Sequence, residues 1–388
     1  MRVSLLTGGH DPHYAIPLAA ALADAAILVE FVANDAMETE QGLKRPEISY
    51  LNLRGSQDPR APLRVKVARV LRYYRKLVSY TRRTESKIFH VLWFNKLEWF
   101  DRTVLNIFYR LSGKKLVFTA HNVNAHRRDG ADTWLNRMML RAMYALFDHV
   151  FVHTEPSKTE LVGDFGVDPT KITVIPYGLN THVPDTTLSR NEARAHLGLG
   201  EDEKILLFFG LIAPYKGLDI LVDAMSLLDS QKPNCRLVIA GRAKVGSQPF
   251  WTTLKSQLAH EPLCSRVTLV DGYIPDRDIP VLFRAADALV LPYRAIYQSG
   301  PLSLAYRFGV PVIATRVGAF DRDIIPDVTG VLCEPESPLD LARAIEWYLR
   351  SNMYLNRDVT EKRIREIGLE RYSWDQITRT ISGVYARL

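Results

Sequence analysis

The chain has 388 residues, 47% of them apolar and 24% charged, and a formal net charge of +7. That length suits two domains with a core each, and the composition is that of an ordinary soluble globular protein. Cys235, Cys264 and Cys333 are far apart and form no CxxC, which argues against a disulfide frame or a structural zinc and for a reducing compartment.

In the first half, short apolar runs predict strands at 3–7, 27–32, 88–93, 116–120, 150–153 and 172–176. Helical patterns lie between them, for example at 15–23, 101–111 and 134–146. The stretch 15–34 comes nearest to a membrane span, but Asp24 and Glu30 interrupt it and no basic leader precedes it beyond Arg2. It reads as a helix followed by a strand.

Residues 54–87 hold eleven Lys or Arg against Asp58 and Glu85. Within them Leu63, Val67, Val70, Leu71, Tyr74, Leu77 and Val78 recur at helical spacing. The result is a basic amphipathic helix with two readings. It packs on its own domain with a solvated basic face, or residues 60–83 meet an anionic membrane surface or an acidic acceptor. No nucleic-acid motif accompanies the charge, so nucleic acid is not an expected partner.

The polar, turn-rich stretch 177–190 reads as a linker. The alternation then restarts, with strands at 205–209, 236–240, 267–270, 288–291, 312–315 and 330–333. Helices are predicted at 218–228, 250–259, 279–286, 301–308 and 339–349, and a last one begins near Ser373. Two doubly wound α/β halves imply a ligand cleft between the domains. The strand–loop–helix turn at Ser299-Gly300 is of the kind that aims free backbone N–H groups beyond the strand ends, a phosphate or diphosphate site. The Gln298 amide and Ser299 hydroxyl can hydrogen-bond sugar hydroxyls or phosphate there.

An ordered set of motifs resembles family 4 glycosyltransferases of the GT-B architecture. Val174-Ile175-Pro176-Tyr177-Gly178-Leu179-Asn180 resembles V-I-P-N-G-V-D. The segment from Phe209-Gly210-Leu211 to Lys216-Gly217 resembles the donor-phosphate loop G-R-x-x-x-x-K-G. Leu237 to Gly241, Asp271 to Ile274 and Ala286 to Pro292 follow at the expected intervals. The resemblance implies two Rossmann-like domains facing an interdomain cleft. Residues 1–180 would form the acceptor domain, 181–371 the nucleotide-sugar donor domain, and 372–388 a helix packing back toward the N-terminal domain.

It also implies a metal-independent retaining transferase without a cofactor, either free in the cytoplasm or peripheral at the inner membrane face. It would act on a nucleotide-sugar donor and a saccharide or lipid-linked saccharide acceptor, in polysaccharide or glycoconjugate synthesis. Lys216 would stabilise the departing diphosphate, with Gly210 keeping its loop open. Tyr273 and Ile274 would meet the base, and His121 would reach the donor sugar from the strand end Phe118-Thr119-Ala120-His121. His126, and Gly8, Gly9 and His13 after the first strand, are acceptor-side candidates, with His10 and Asp11 beside them. The chain departs from the family at Leu211, where an arginine is usual, and at Ile296 and Leu304, where two glutamates are usual. Arg242 and Arg294 are the candidate substitutes for that arginine. Asp276-Arg277-Asp278 and Asp321-Arg322-Asp323 read as loop or helix-start residues rather than metal ligands. The missing groups motivate a second reading, a catalytically impaired sugar-nucleotide-binding or scaffold protein. A third is another nucleotide-sugar reaction that needs no acceptor.

Overall fold

Runs such as Ala288–Leu291 and Val312–Thr315 are apolar at every position and buried along their whole length. Such strands need helices on both faces, which parallel sheets provide. The computed structural model describes residues 1–388 apart from 10, 59, 96 and 229–234. It divides into two units, residues 1–178 with 372–388, and residues 179–371.

The first unit holds a parallel sheet of β1 (Arg2–Leu6), β2 (Leu28–Ala33), β3 (Ile48–Asn52), β4 (Ile88–Val91), β5 (Lys115–Ala120), β6 (His149–Val152) and β7 (Ile172–Val174). Their order is β3-β2-β1-β4-β5-β6-β7. Helix α1 (Pro12–Asp24) follows β1, and α2 (Leu63–Arg83) joins β3 to β4. The second unit holds β8 (Lys204–Phe209), β9 (Cys235–Gly241), β10 (Val267–Asp271), β11 (Ala288–Leu291), β12 (Val312–Thr315) and β13 (Gly330–Cys333), in the order β10-β9-β8-β11-β12-β13. Helix α3 (Gly300–Phe308) follows β11. The order reverses between β1 and β4 and again between β8 and β11. Loops beyond the strand ends at such switch points open a crevice for ligands.

The last helix, α4 (Trp374–Tyr385), belongs to the first unit, where it lies on α1 and buries Ile377, Ile381 and Val384. Gly178 accommodates it: a Cβ there would meet Trp374 at 2.5 Å. Tyr385 closes the contact through its hydroxyl, 2.6 Å from His90 Nδ1.

Two local expectations are corrected. Strand β3 was not expected; its I-S-Y-L-N sequence mixes polar and apolar residues at a sheet edge. The helix expected over 101–111 is a π-helical turn at Asp101–Leu105 followed by an α-helix at Asn106–Leu111. Asp101 is buried at its start, accepting from Asn95 N and the Tyr74 hydroxyl, each at 2.8 Å.

Candidate active site

In the second unit, β8 ends at Gly210, whose φ of 110° suits glycine. Gly241, ending β9, packs against it so closely that a Cβ would lie 1.9 Å from the Gly210 carbonyl oxygen. The loop then makes a 3-10 turn over Pro214–Lys216 and stops at Gly217, whose missing Cβ would fall 1.9 Å from the Pro292 carbonyl. These contacts tie the loop after β8 to the neighbouring strand ends. They also turn Lys216 inward, leaving it 7% exposed. Its ammonium lies 3.2 Å from the position a Gly210 Cβ would take, and Pro301 in the first turn of α3 lies 3.6 Å from the same point. It also sits 5.2 Å from the centroid of the Tyr293 ring. A buried cation, a glycine and a helix N-terminus thus meet at the switch point.

The turn into α3 carries Gln298, Ser299 and Gly300. Ser299 Oγ caps the helix by accepting from Leu302 N, which leaves its proton for donation. Gln298 Oε1 is buried with no partner, and an added Cβ on Gly300 would meet open space. Buried side-chain polar atoms ordinarily have a partner, and this amide oxygen has none among the described residues. Beyond β9 and β10, Arg242 lies 5.5 Å from the centroid of the exposed Tyr273 ring, with Ile274 next in the chain.

The two substitutes for the missing arginine stand differently. Arg294 sends its fork to Asp219 at 2.9 and 2.7 Å and to the Pro214 carbonyl at 2.6 Å. It therefore clamps the lysine loop. Arg242 makes no ion pair among the described residues and is the freer cation. Leu211 is 41% exposed, whereas Leu304 is 4% exposed and faces the apolar interior.

In the first unit, Gly8 and Gly9 turn the chain from β1 toward α1 with φ of 59° and 72°. A Cβ on Gly8 would lie 2.8 Å from the Trp93 carbonyl beyond β4, so the turn fits only a glycine. His13 sits in the first turn of α1 beside Asp11, whose carboxyl burial pushes up. His10 lies outside the described residues. His121 directly follows β5, stacked on Trp93 with centroids 4.3 Å apart and planes 6° from parallel. Its Nδ1 is 3.0 Å from His153 Nε2, and its Nε2 is buried without a partner. A cavity of about 300 Å³ opens here, lined by Trp93, His121, Asn122, Asn124, the exposed His126 and Arg102. Sequence reasoning missed Trp93 and His153. His153 directly follows β6, as His121 follows β5, and Trp93 stands two residues after β4.

Two family descriptions match the chain: "Glycosyltransferase Family 4" over residues 13–183 and "Glycosyl transferases group 1" over residues 189–366. The chain belongs to the family 4, group 1 glycosyltransferases, with the GT-B architecture of two Rossmann-like units. A D-inositol 3-phosphate glycosyltransferase of Geodermatophilus obscurus is 29% identical over 244 residues, covering 61% of this chain and 52% of that protein. One from Corynebacterium aurimucosum is 26% identical, covering 74% of this chain and 72% of that protein. The chain thus spans little more than half the length of some of the curated relatives it matches. Among solved structures, sucrose-phosphate synthase of Thermosynechococcus elongatus superposes with a TM-score of 0.77 at 20% identity, covering 100% of this chain and 98% of that one. HepE of Anabaena, in complex with UDP-glucose, gives 0.76 at 19% identity over the whole of both chains.

Proposed function

We propose that the protein transfers a sugar from a nucleotide-sugar donor to a saccharide or lipid-linked saccharide acceptor, with retention at the anomeric carbon and without a metal. The observation that carries this reading is the nearly buried Lys216 ammonium facing Gly210 and the first turn of α3. A diphosphate there gains charge stabilisation from the lysine and the helix dipole as it departs. Arg242 and Tyr273 take the base side of the nucleotide with the backbone at Ile274. Gln298, Ser299 and Gly300 take the phosphates and sugar, while Arg294 holds the loop. His121 offers an acceptor for a sugar hydroxyl. Gly8, Gly9, His13 and His126 form the acceptor side. The bond from the anomeric carbon to diphosphate breaks, the bond to the acceptor oxygen forms on the same face, and the acceptor proton passes to the departing phosphate oxygen. The UDP-glucose complex of HepE supports a nucleoside diphosphate sugar as donor. We place the reaction in the cytoplasm at the inner membrane face.

The test is a panel of nucleotide sugars read by thermal shift and by product formation. A donor that binds must raise the melting temperature, and transfer must follow with an acceptor. No shift with any nucleoside diphosphate would remove this reading. The buried Leu304 and exposed Leu211 favour a second reading, a sugar-nucleotide-binding scaffold. Binding without turnover across a broad acceptor panel would select it.

A further inference from the structure

Beside α2 the first unit contains a second cavity, of about 460 Å³, that none of the proposed donor or acceptor residues lines. One end is basic: Arg54, Lys66 and Arg69 border it against the single carboxylate of Asp58. Arg54 is half-buried, and its Nη1 donates to the Asn95 amide oxygen at 3.1 Å. It forms no ion pair among the described residues. The nearby carboxylate of Asp101 is already used by Asn95 N and the Tyr74 hydroxyl. Burial pulls the guanidinium's pKa down from its usual range. A half-buried cation without a counter-ion is costly unless an anion arrives. Gln57 points to the same need, because its Nε2 is buried with no acceptor. That nitrogen stands 2.3 Å from where a Gly9 Cβ would be and Arg54 Nη1 stands 3.3 Å from it, so both donors converge at the turn after β1.

Much of the rest of the lining is apolar, beside the polar groups of Ser56, Asn95, Tyr73 and Tyr74. Val67, Val70 and Leu71 of α2 line it together with Leu97. The apolar stripe continues uncovered to the start of the helix, where Leu63 is 77% exposed. Free phosphate would leave this wall wet, and a neutral hydrocarbon would leave Arg54 unpaired. A molecule joining both parts fits.

We infer that this cavity binds a lipid phosphate, with the phosphate between Arg54, Gln57 and Lys66 and the hydrocarbon chain along Val67, Leu71 and Leu63. This deepens the acceptor half of the proposed function and rests on it: the lipid-linked acceptor is held by its phosphate at a place separate from the donor diphosphate. Charge-assisted hydrogen bonds supply the headgroup selectivity and the α2 stripe supplies the chain selectivity.

The experiment titrates the full chain by calorimetry with farnesyl phosphate, farnesol and inorganic phosphate. One farnesyl phosphate should bind per chain, about tenfold or more tighter than either fragment. Arg54→Gln should weaken it by about tenfold. Val67→Asp, at a 51% exposed position that does not support the core, should do the same and decides the matter if the arginine variant fails to fold. Farnesol or inorganic phosphate binding as tightly as farnesyl phosphate would overturn the inference. So would farnesyl phosphate affinity untouched by Val67→Asp. The UDP-induced melting shift is read in parallel: its absence removes the transferase reading, while farnesyl phosphate binding reports on this cavity alone.

Discussion

His121 Nδ1 lies 3.0 Å from His153 Nε2, and that contact decides which nitrogen of His121 a substrate meets. His153 Nδ1 is 3.2 Å from the Ile175 carbonyl, which can only accept. His153 therefore carries its proton on Nδ1 and a lone pair on Nε2. His121 Nδ1–H donates to that lone pair, so His121 Nε2 is itself a bare acceptor, and it has no partner. Both rings are neutral. Burial pushes His153 down to about 4 and His121 well below its ordinary value. Replacing His153 by Phe should free the tautomer of His121 and lower kcat/KM by about tenfold or more. His153→Gln, whose amide can accept from His121 and donate to Ile175, should recover most of the loss. Nitrogen NMR of the His121 ring reads the tautomer directly. A spectrum unmoved by His153→Phe would show that His153 does not orient the ring.

The same burial makes the first unit acid-sensitive. His149 and His153 are held at about 4 and His90 at about 3, chiefly by desolvation. An unfolded histidine takes up its proton near pH 6.5. Between about 6.5 and 4 the unfolded chain therefore binds more protons than the folded one, and stability falls as the pH falls. Asp101 acts in the opposite sense. Burial raises it to about 6, so the folded state keeps a proton that the unfolded state has lost, and acid favours the fold there. The histidines outnumber it. The melting temperature should drop from pH 7 to pH 5, and Asp101→Asn should steepen the drop. A flat profile over that range would contradict these burial assignments.

Lys216→Ala should cut transfer by about a hundredfold or more, because its charge acts where the leaving group's charge grows. Lys216→Arg should recover little, because a planar fork does not replace a compact, nearly buried ammonium. Leu211→Arg tests the family departure from the other direction. The site is 41% exposed, so an arginine costs little packing, and nucleoside diphosphate affinity should rise by about tenfold. Calorimetry with UDP and ADP measures both. Turnover unchanged in Lys216→Ala would take the lysine out of the chemistry.

Much of this arrangement was legible in the sequence, and the gaps have physical causes. Strands such as β11 and β12 read clearly because they are apolar at every position and lie between helix layers. The Lys216 loop read clearly because its glycines are required by close backbone approaches at Gly217 and Gly241. The α2 stripe was visible as periodicity, but periodicity does not say what covers it. Tyr73 and Leu77 are buried, whereas Leu63, Val67 and Leu71 stay exposed. His153 escaped because a histidine after an apolar strand looks like any strand end until its neighbour is known. The role of Arg294 escaped because its partner Asp219 lies 75 residues away in the chain, in the first turn of the helix Leu218–Leu227.

Asp287 is the electrostatic centre of the second unit. Its carboxylate is buried and meets Arg194 at 2.8 Å, Arg357 at 3.0 Å and Arg190, and it accepts from Ile205 N. Three guanidiniums on one carboxylate leave a cationic cluster that tolerates no loss of the anion. Asp287→Ala should destabilise this unit by about 3–5 kcal/mol, the scale for uncovering a buried charge. Arg190→Ala, which removes a partner that is itself 28% exposed, should cost less. Denaturant unfolding with m held constant distinguishes the two. Equal losses from both variants would mean that the cluster holds the fold by packing rather than by charge.

The surface of α2 makes the membrane reading measurable. None of its basic side chains forms an ion pair among the described residues, and Leu63 and Leu71 are 77% and 61% exposed. Two contributions then act together at a lipid surface. Each basic residue adds about 1 kcal/mol near anionic headgroups, and the leucines bury apolar area. The electrostatic part is screened with a Debye length of about 10 Å at 0.1 M salt, while the apolar part is not. Binding to phosphatidylglycerol vesicles should therefore fall steeply with salt, and binding to phosphatidylcholine vesicles should be weak at any salt. Arg72→Glu should lower the salt-sensitive component, and Leu63→Ser the remainder. No helix among the described residues is long and apolar enough to cross a membrane, so any attachment by α2 would lie along the surface. Equal binding to the two vesicle types would show that the basic face serves solvation alone.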